Sequence, residues 1–308
     1  MTSRFVAPTS LDEAIAILAA DAAARPVAGG TDLVVASRQG RRPLPDAIVA
    51  IDRIEELEGA GVDASGELRL GALTPHAWLA GSPEVVAHWT ALADAAAIVG
   101  SPATRATGTI GGNLMNASPA AETTAPFVVF DAVATLRGPD GGRRDVPVGE
   151  LAVGPGRTLA RGAELLSEVR VPRSEAAIGS AYIRLEYRRA MEIAVVGAAA
   201  LVTLDGSGPG AGVRAARIAL TAVAPTVVRA PEAEAAFVGT AGDRAACRAA
   251  GAAAAAAASP IDDVRASAEY RRAMIEVVVA RTLAAAVARA RGETVAVPAS
   301  RWAHGQTV

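Results

Sequence analysis

From Thr107 to Asp131 the chain carries Gly111-Gly112 inside a run of small, hydroxyl and amide side chains: Thr109, Asn113, Asn116, Ser118, Thr123 and Thr124. Glu122 is the one charge between Thr107 and Phe130. Such a stretch admits few structures. A glycine pair lets backbone approach a neighbour closely and adopt conformations closed to other residues. Neutral donors around it suit a phosphate whose charge is met by backbone N–H groups. The plain alternative is a loop entering a helix. A second glycine pair weighs on that choice: Ala28-Gly29-Gly30-Thr31-Asp32-Leu33, at the carboxyl end of an apolar segment. Ligands favour that end of a strand in open α/β sheets.

Neither pair is a G-x-G-x-x-G motif, and lysine is absent from the chain, so neither is a P-loop. Two such turns facing each other could hold a pyrophosphate between two sets of N–H groups without a strong cation. Composition narrows the partners. The net charge is −2 with no basic stripe, which argues against nucleic acid. The single cysteine, Cys247, cannot ligate an iron–sulfur cluster or build a cysteine zinc site. The start of the chain has no apolar signal core, and no run approaches about 20 strongly hydrophobic residues, so a soluble cytoplasmic protein without a membrane span is expected. With 308 residues, 51% of them hydrophobic but only 3% aromatic, the cores must be built from Ala, Val, Leu and Ile.

In order, Ser10 and Glu13 form a capping box for a helix reaching about Ala23. Pro26–Ala28 and Ala47–Ile51 read as buried strands around a short helix, Leu33–Arg38. Glu67–Leu73 alternates as a strand does. Thr74-Pro75 and Ser82-Pro83 open helices with proline at the first position, and Trp89–Val99 is a further helix. Ser101–Gly108 reads as a loop, and Thr124–Asp131 as helix or extended chain. Val133–Arg137 and Arg144–Pro147 form a hairpin, and Glu164–Pro172 a strand. A boundary falls near 172–177. Beyond it come three strands, Ser180–Glu186, Ile193–Leu204 and Val213–Ala222. The glycine-rich run 205–212 is a hairpin turn between the last two. Helices over Glu232–Phe237, Asp243–Ala257 and Ala266–Arg291 follow, the last with one apolar face and arginines on the other. The remainder reads as an extended or flexible tail.

The paired motifs Val27–Leu33 and Arg105-x-x-Gly-Thr-Ile-Gly-Gly-Asn-Leu114 resemble the FAD-binding medium subunit of the molybdenum hydroxylases, the carbon monoxide dehydrogenase flavoprotein and xanthine dehydrogenase type. The resemblance extends over nearly the whole chain, through Leu70-Gly71-Ala72-x-Thr74-x-His76, Ser82-Pro83-x-Val85, Gly162-x-Glu164-Leu165-Leu166, Met191–Gly197 and Ser267-Ala-x-Tyr-Arg-x-x-Met274. It implies an α+β flavoprotein: an N-terminal α/β part (1–54) and a middle α+β part (55–174) that together bind FAD. A C-terminal domain (175–292) with a three-stranded antiparallel sheet and helices covers the flavin, and a tail (293–308) follows. It assigns Ala28, Gly29, Gly30, Thr31, Asp32 and Leu33 to a first pyrophosphate loop. Thr109, Ile110, Gly111, Gly112 and Asn113 form the second. Arg105, Glu122 (where relatives carry Asp), Leu165 by its backbone near the adenine, and Arg184 near the flavin complete the set. No catalytic residue or metal ligand is assigned.

The resemblance further implies a large molybdopterin-binding subunit, a small subunit with two [2Fe–2S] clusters, and an acceptor: NAD, a quinone or dioxygen. A dimer of heterotrimers is expected. Alternatives are a self-contained flavin oxidoreductase, against which the scarcity of His and Cys counts, and an FAD-free scaffold. Among single residues, His76 reads as packing or surface, and His88 and His304 have no matching partners. Asp32 either bonds its own turn or touches the ribityl chain. Tyr182 and Tyr187 either shield the ring or pack in the core. Arg188 and Arg189 are solvated or contact a partner. Cys247 is a small core residue.

Overall fold

The computed structural model describes residues 4–40, 43–173, 178–188, 191–206 and 210–296. The expected domain boundary at 174–177, Arg189, His304 and the tail beyond 296 lie outside them. Among the described residues, three sheets of three or more strands follow one another along the chain, and Ala152–Gly154 pairs with Arg157–Thr158 as a small two-stranded sheet. The first is parallel, with Ala47–Ala50 between Arg4–Val6 and Ala24–Val27. The second has five antiparallel strands in the order Ala60–Val62, Leu68–Gly71, Leu165–Val171, Val133–Arg137, Arg143–Pro147. The third orders Ile178–Leu185, Val196–Leu204, Val213–Thr221 and Val228–Arg229.

The third sheet explains a pattern that does not alternate. All nine residues of Val196–Leu204 are buried. One face of the sheet meets the long helix Ala268–Ala290, and the other meets helices Thr90–Ala96 and Thr124–Val129 of the middle part. A strand covered on both faces has no solvent side on which to place polar residues. Small residues permit the close contact: a Cβ on Gly179 would lie 2.0 Å from the Ala286 carbonyl oxygen, and one on Gly251 would lie 2.5 Å from that of Glu276. An interior poor in aromatic residues is thus packed by bringing backbones together.

The sheet carries a two-residue edge strand, Val228–Arg229, beyond the three expected. The N-terminal strand Arg4–Val6 is a further addition, and it carries little apolar burial to announce it. Ser101–Gly108 is corrected from loop to helix over Pro102–Thr107: Ser101 accepts from the Thr104 N–H at 3.1 Å and Pro102 opens the first turn. Pro75 caps the helix His76–Gly81 instead of sitting inside it. The hairpin between Val196–Leu204 and Val213–Thr221 closes with the Asp205 N–H donating to Gly212 O at 3.0 Å, and residues 207–209 within it are outside the described set.

The first helix, Leu11–Ala20, begins as expected. The Glu13 N–H donates to Ser10 Oγ at 3.3 Å, and Glu13 reaches back to the Thr9 N–H at 3.0 Å, one residue further than a standard capping box. Ser10→Ala should cost about 1 kcal/mol, read as a shift in the urea midpoint with the slope unchanged. Among the described residues, no helix is long and apolar enough to cross a membrane.

Candidate functional site

The two glycine turns meet. Gly29 lies so close to Thr107 that a Cβ there would sit 1.9 Å from the Thr107 carbonyl oxygen and 3.3 Å from Gly108 Cα. The contact falls just before Thr109, so Ala28–Leu33 and Thr109–Asn113 form the two sides of one seam. Gly30 has φ +65° and caps the helix Thr31–Arg38 with no side-chain hydrogen bond. Among the described residues, no backbone N–H from Ala28 through Leu33 donates a hydrogen bond. The first turn is therefore a row of open donors at a helix N-terminus, the arrangement that binds anions. Asp32 is exposed and makes no hydrogen bond to its own turn among the described residues; desolvation of its inner side raises its carboxyl above the ordinary range.

The second turn is built differently. Thr109 caps a helix, Ile110–Met115, whose first turn contains both glycines. The Ile110 N–H donates to Thr74 O at 3.0 Å and the Gly111 N–H to Ala72 O at 2.9 Å. The Gly112 N–H donates to Thr109 Oγ1 at 3.0 Å, and the Asn113 N–H to Thr109 O at 3.0 Å. These amides are spent within the chain, which corrects the picture of two equivalent sets of donors. Gly111 is needed for packing: a Cβ would meet Ala72 O at 2.7 Å. The second turn instead offers side chains. Asn113 Oδ1 accepts from Thr123 Oγ1 at 2.9 Å, which orients the amide and leaves its NH2 free to donate. Thr123 is the residue that sequence reading credited only with a hydroxyl; its role depends on a contact ten positions away.

His76 and Arg105 stand beside the seam. The His76 N–H donates to Gly108 O at 3.1 Å. The residue is 2% exposed, and burial together with the charge of Arg105 lowers its pKa to about 4, so it is neutral at physiological pH. Arg105 donates to Val99 O at 3.1 Å, and partial burial lowers its own pKa.

Glu122 and Arg184, 62 positions apart, contact each other: Arg184 Nη1 donates to Glu122 Oε1 at 2.5 Å. A second carboxylate, Glu186, bonds the same guanidinium. Burial raises the Glu122 carboxyl against the opposing pull of Arg184. Burial also works against the Arg184 cation, but Glu122, Tyr182 and Glu186 outweigh it and raise its pKa. Leu165 is buried in the central strand of the second sheet, paired with Arg137, and the helix Ile110–Met115 packs on that strand.

Several alternatives resolve. Tyr182 is fully buried and belongs to the core. Tyr187 is 67% exposed, and its hydroxyl donates to Arg265 O. Arg188 is largely solvated and braces its own loop through Glu192 and Met191 O. That loop reaches the middle part: the Met191 N–H donates to Gly100 O at 3.4 Å, with Met191 at φ +53°. Cys247 is buried, its thiol raised to about 11 chiefly by desolvation. His88 packs edge-on against Trp89. No group of three or more potential metal ligands occurs among the described residues.

Comparison with known proteins identifies the family. Residues 1–174 match the family described as the FAD binding domain in molybdopterin dehydrogenase, and residues 181–286 match the CO dehydrogenase flavoprotein C-terminal domain. The carbon monoxide dehydrogenase medium chain of Hydrogenophaga pseudoflava is 36% identical over 92% of this chain and 96% of its own length. The 6-hydroxypseudooxynicotine dehydrogenase complex subunit alpha of Paenarthrobacter nicotinovorans is 34% identical over 93% of this chain and 95% of its own. Among solved structures, a chain of the Hydrogenophaga pseudoflava carbon monoxide dehydrogenase superposes with a TM-score of 0.87 at 36% identity, covering 94% of this chain and 98% of that one. A chain of quinoline 2-oxidoreductase from Pseudomonas putida 86 gives 0.86 at 28%, covering 94% and 99%. The chain belongs to the FAD-binding medium subunits of the molybdenum hydroxylase family, and is an oxidoreductase subunit.

Proposed function

We propose that this chain binds FAD at the seam between its two glycine turns and serves a molybdenum hydroxylase as its electron-transfer subunit. The observation that carries the reading is the row of undonated N–H groups from Ala28 through Leu33, pressed against the backbone of Thr107. An anionic linker fits there: the donors are preformed, the helix N-terminus favours negative charge, and Asp32 is the one charged side chain from Ala28 through Leu33. In this reading Ala28–Leu33 hold the pyrophosphate through backbone amides. Thr109, with Ile110, Gly111 and Gly112 shaping its turn, and Asn113 close the other side. The second turn contributes side-chain groups, since its amides already serve the fold. Arg105 stands beside the seam. Glu122, Arg184 and the Leu165 strand bound the cofactor on the side of the middle and C-terminal parts.

Bound flavin supplies the redox chemistry, and the protein supplies its position and electrostatic surroundings. The single cysteine leaves this chain unable to carry an iron–sulfur cluster alone. Electrons are thus proposed to arrive from [2Fe–2S] clusters of a small subunit and to originate at a molybdopterin centre in a large one. They leave to NAD, a quinone or dioxygen. Relatives named for carbon monoxide, xanthine and 6-hydroxypseudooxynicotine share this chain's architecture at 29–36% identity, so the substrate is assigned to a partner subunit and not to this seam. A dimer of such trimers in the cytoplasm is the assembly proposed.

The direct test is reconstitution. The full chain, stripped of cofactor and titrated with FAD, should bind one equivalent and turn yellow, with FMN and riboflavin binding far more weakly. It should show no steady-state turnover alone. A chain that takes up no FAD, or that binds riboflavin equally well, would overturn the proposal.

A further inference from the structure

The FAD reading leaves one buried polar group at the seam without a function. His76 is 2% exposed, yet its side chain makes no hydrogen bond among the described residues. Nδ1 is fully enclosed and unpartnered. Nε2 also lacks a partner among the described residues but is not fully enclosed. Cδ2, the ring carbon bonded to Nε2, lies 3.6 Å from the point where a Cβ of Gly108 would stand. Thr31 Oγ1 lies 3.3 Å from the same point. The Cδ2 edge of the ring thus lies beside Gly108, close to Thr31 at the start of the open-donor helix.

Leaving a buried nitrogen unpaired is costly unless something else repays it. A phenylalanine would fill the same volume without that cost. Both backbone and sequence hold the ring here: Pro75 is extended, its neighbour Thr109 pairs with it as an isolated bridge, and the His76 N–H is tied to Gly108 O.

We propose that His76 is a cofactor-positioning residue whose Nε2–H donates to an oxygen of the dinucleotide's pyrophosphate, beside the amides of Thr31 and Asp32. The inference rests on the FAD reading and adds a side-chain donor beside the open amides of the first turn. The ring acts as a neutral donor. The charge of Arg105 and its own burial keep it uncharged, so it contributes direction without adding a second cation. An anion placed against Nε2 would also favour the protonated ring, so cofactor binding should draw the His76 titration upward from about 4.

The test uses the full chain freed of cofactor. Titration calorimetry compares wild type, His76→Phe and His76→Gln with FAD and with ADP, which carries a pyrophosphate without a flavin. A hydrogen bond to a charged acceptor corresponds to roughly ten- to a hundred-fold in affinity. His76→Phe should lose about that much for both ligands. His76→Gln, whose amide nitrogen falls near the position of Nε2, should recover most of it. Nitrogen-15 spectra of the wild-type histidines provide a measurement that needs no variant: adding FAD should shift the His76 Nε2 resonance and raise its titration midpoint, leaving His88 unmoved. Wild-type FAD affinity in a folded His76→Phe protein would overturn the proposal. So would a His76 resonance indifferent to saturating FAD. Failure of the parent reading looks different, because the wild-type chain would then bind neither FAD nor ADP.

Discussion

Gly29→Ala should lower FAD affinity at least about a hundred-fold while leaving the fold intact. The added methyl would stand 1.9 Å from the Thr107 carbonyl oxygen and 2.7 Å from its carbon. Both are backbone atoms, so no rotamer change relieves the clash. One turn has to move off the other. The turn that moves is the one whose N–H groups are unengaged, because Thr107 and Gly108 are held by the helix Pro102–Thr107 and by the His76 N–H. Losing two charge-assisted hydrogen bonds of about 1.5–3 kcal/mol each accounts for the expected factor. The helix Thr31–Arg38 has no buried residue, so its displacement costs the core little and the melting curve should stay near wild type. Gly61→Ala, at a position with nothing within 4 Å of the added carbon, is the matched control and should bind FAD normally. Full FAD affinity in Gly29→Ala would mean that the seam is not where the cofactor sits.

This prediction shows how the site divides between what sequence displays and what it hides. The two glycine pairs, their hydroxyl neighbours and their places in the chain are local features, and both turns were legible. Their unequal roles were not. Whether the amides of Ile110 and Gly111 are open depends on carbonyls of Thr74 and Ala72, and nothing in the 109–113 stretch itself reveals those partners. The mutual satisfaction of Glu122 and Arg184 is hidden for the same reason: it joins two domains through a contact between side chains far apart in sequence. His76 was visible within the Leu70–His76 motif, but its isolation as a buried, unpaired imidazole emerges only once Gly108 and Thr31 are in place.

The fold follows the same rule. Long periodic segments such as Ala268–Ala290 and the strands of the third sheet are legible from pattern alone. The helix at Pro102–Thr107 was missed although Ser101-Pro102 repeats the Ser82-Pro83 signal that was read correctly. Its single turn carries no buried residue, so no apolar periodicity supported the cap. Arg4–Val6 and Val228–Arg229 are short edge strands, defined by pairing and not by their own side chains.

The second large effect concerns the junction between the middle and C-terminal parts, on which any cover for the seam depends. Asp94 is completely buried. Its Oδ2 accepts from Arg289 Nη1 at 2.6 Å and from the Tyr182 N–H at 3.1 Å, and its Oδ1 accepts from Arg289 Nη2 at 3.2 Å. Arg289 also donates to Ser180 O at 2.6 Å, while Ser180 Oγ accepts from the Ala91 N–H at 3.0 Å. One carboxylate thus ties a middle-domain helix, the first strand of the third sheet and the end of the long helix. Asp94→Ala takes the counter-charge from a buried guanidinium and the acceptor from a strand N–H. The expected loss is about 3–5 kcal/mol, roughly ten degrees in melting temperature. A double replacement, Asp94→Leu with Arg289→Leu, removes both charges and should recover part of that loss, since a buried pair need not outperform apolar packing. Denaturant melts of the three proteins measure this. If Asp94→Ala melted like wild type, the junction would have to be held by packing of Val196–Leu204 between its helices alone, and the loop that carries Met191 to Gly100 would owe nothing to this ion pair.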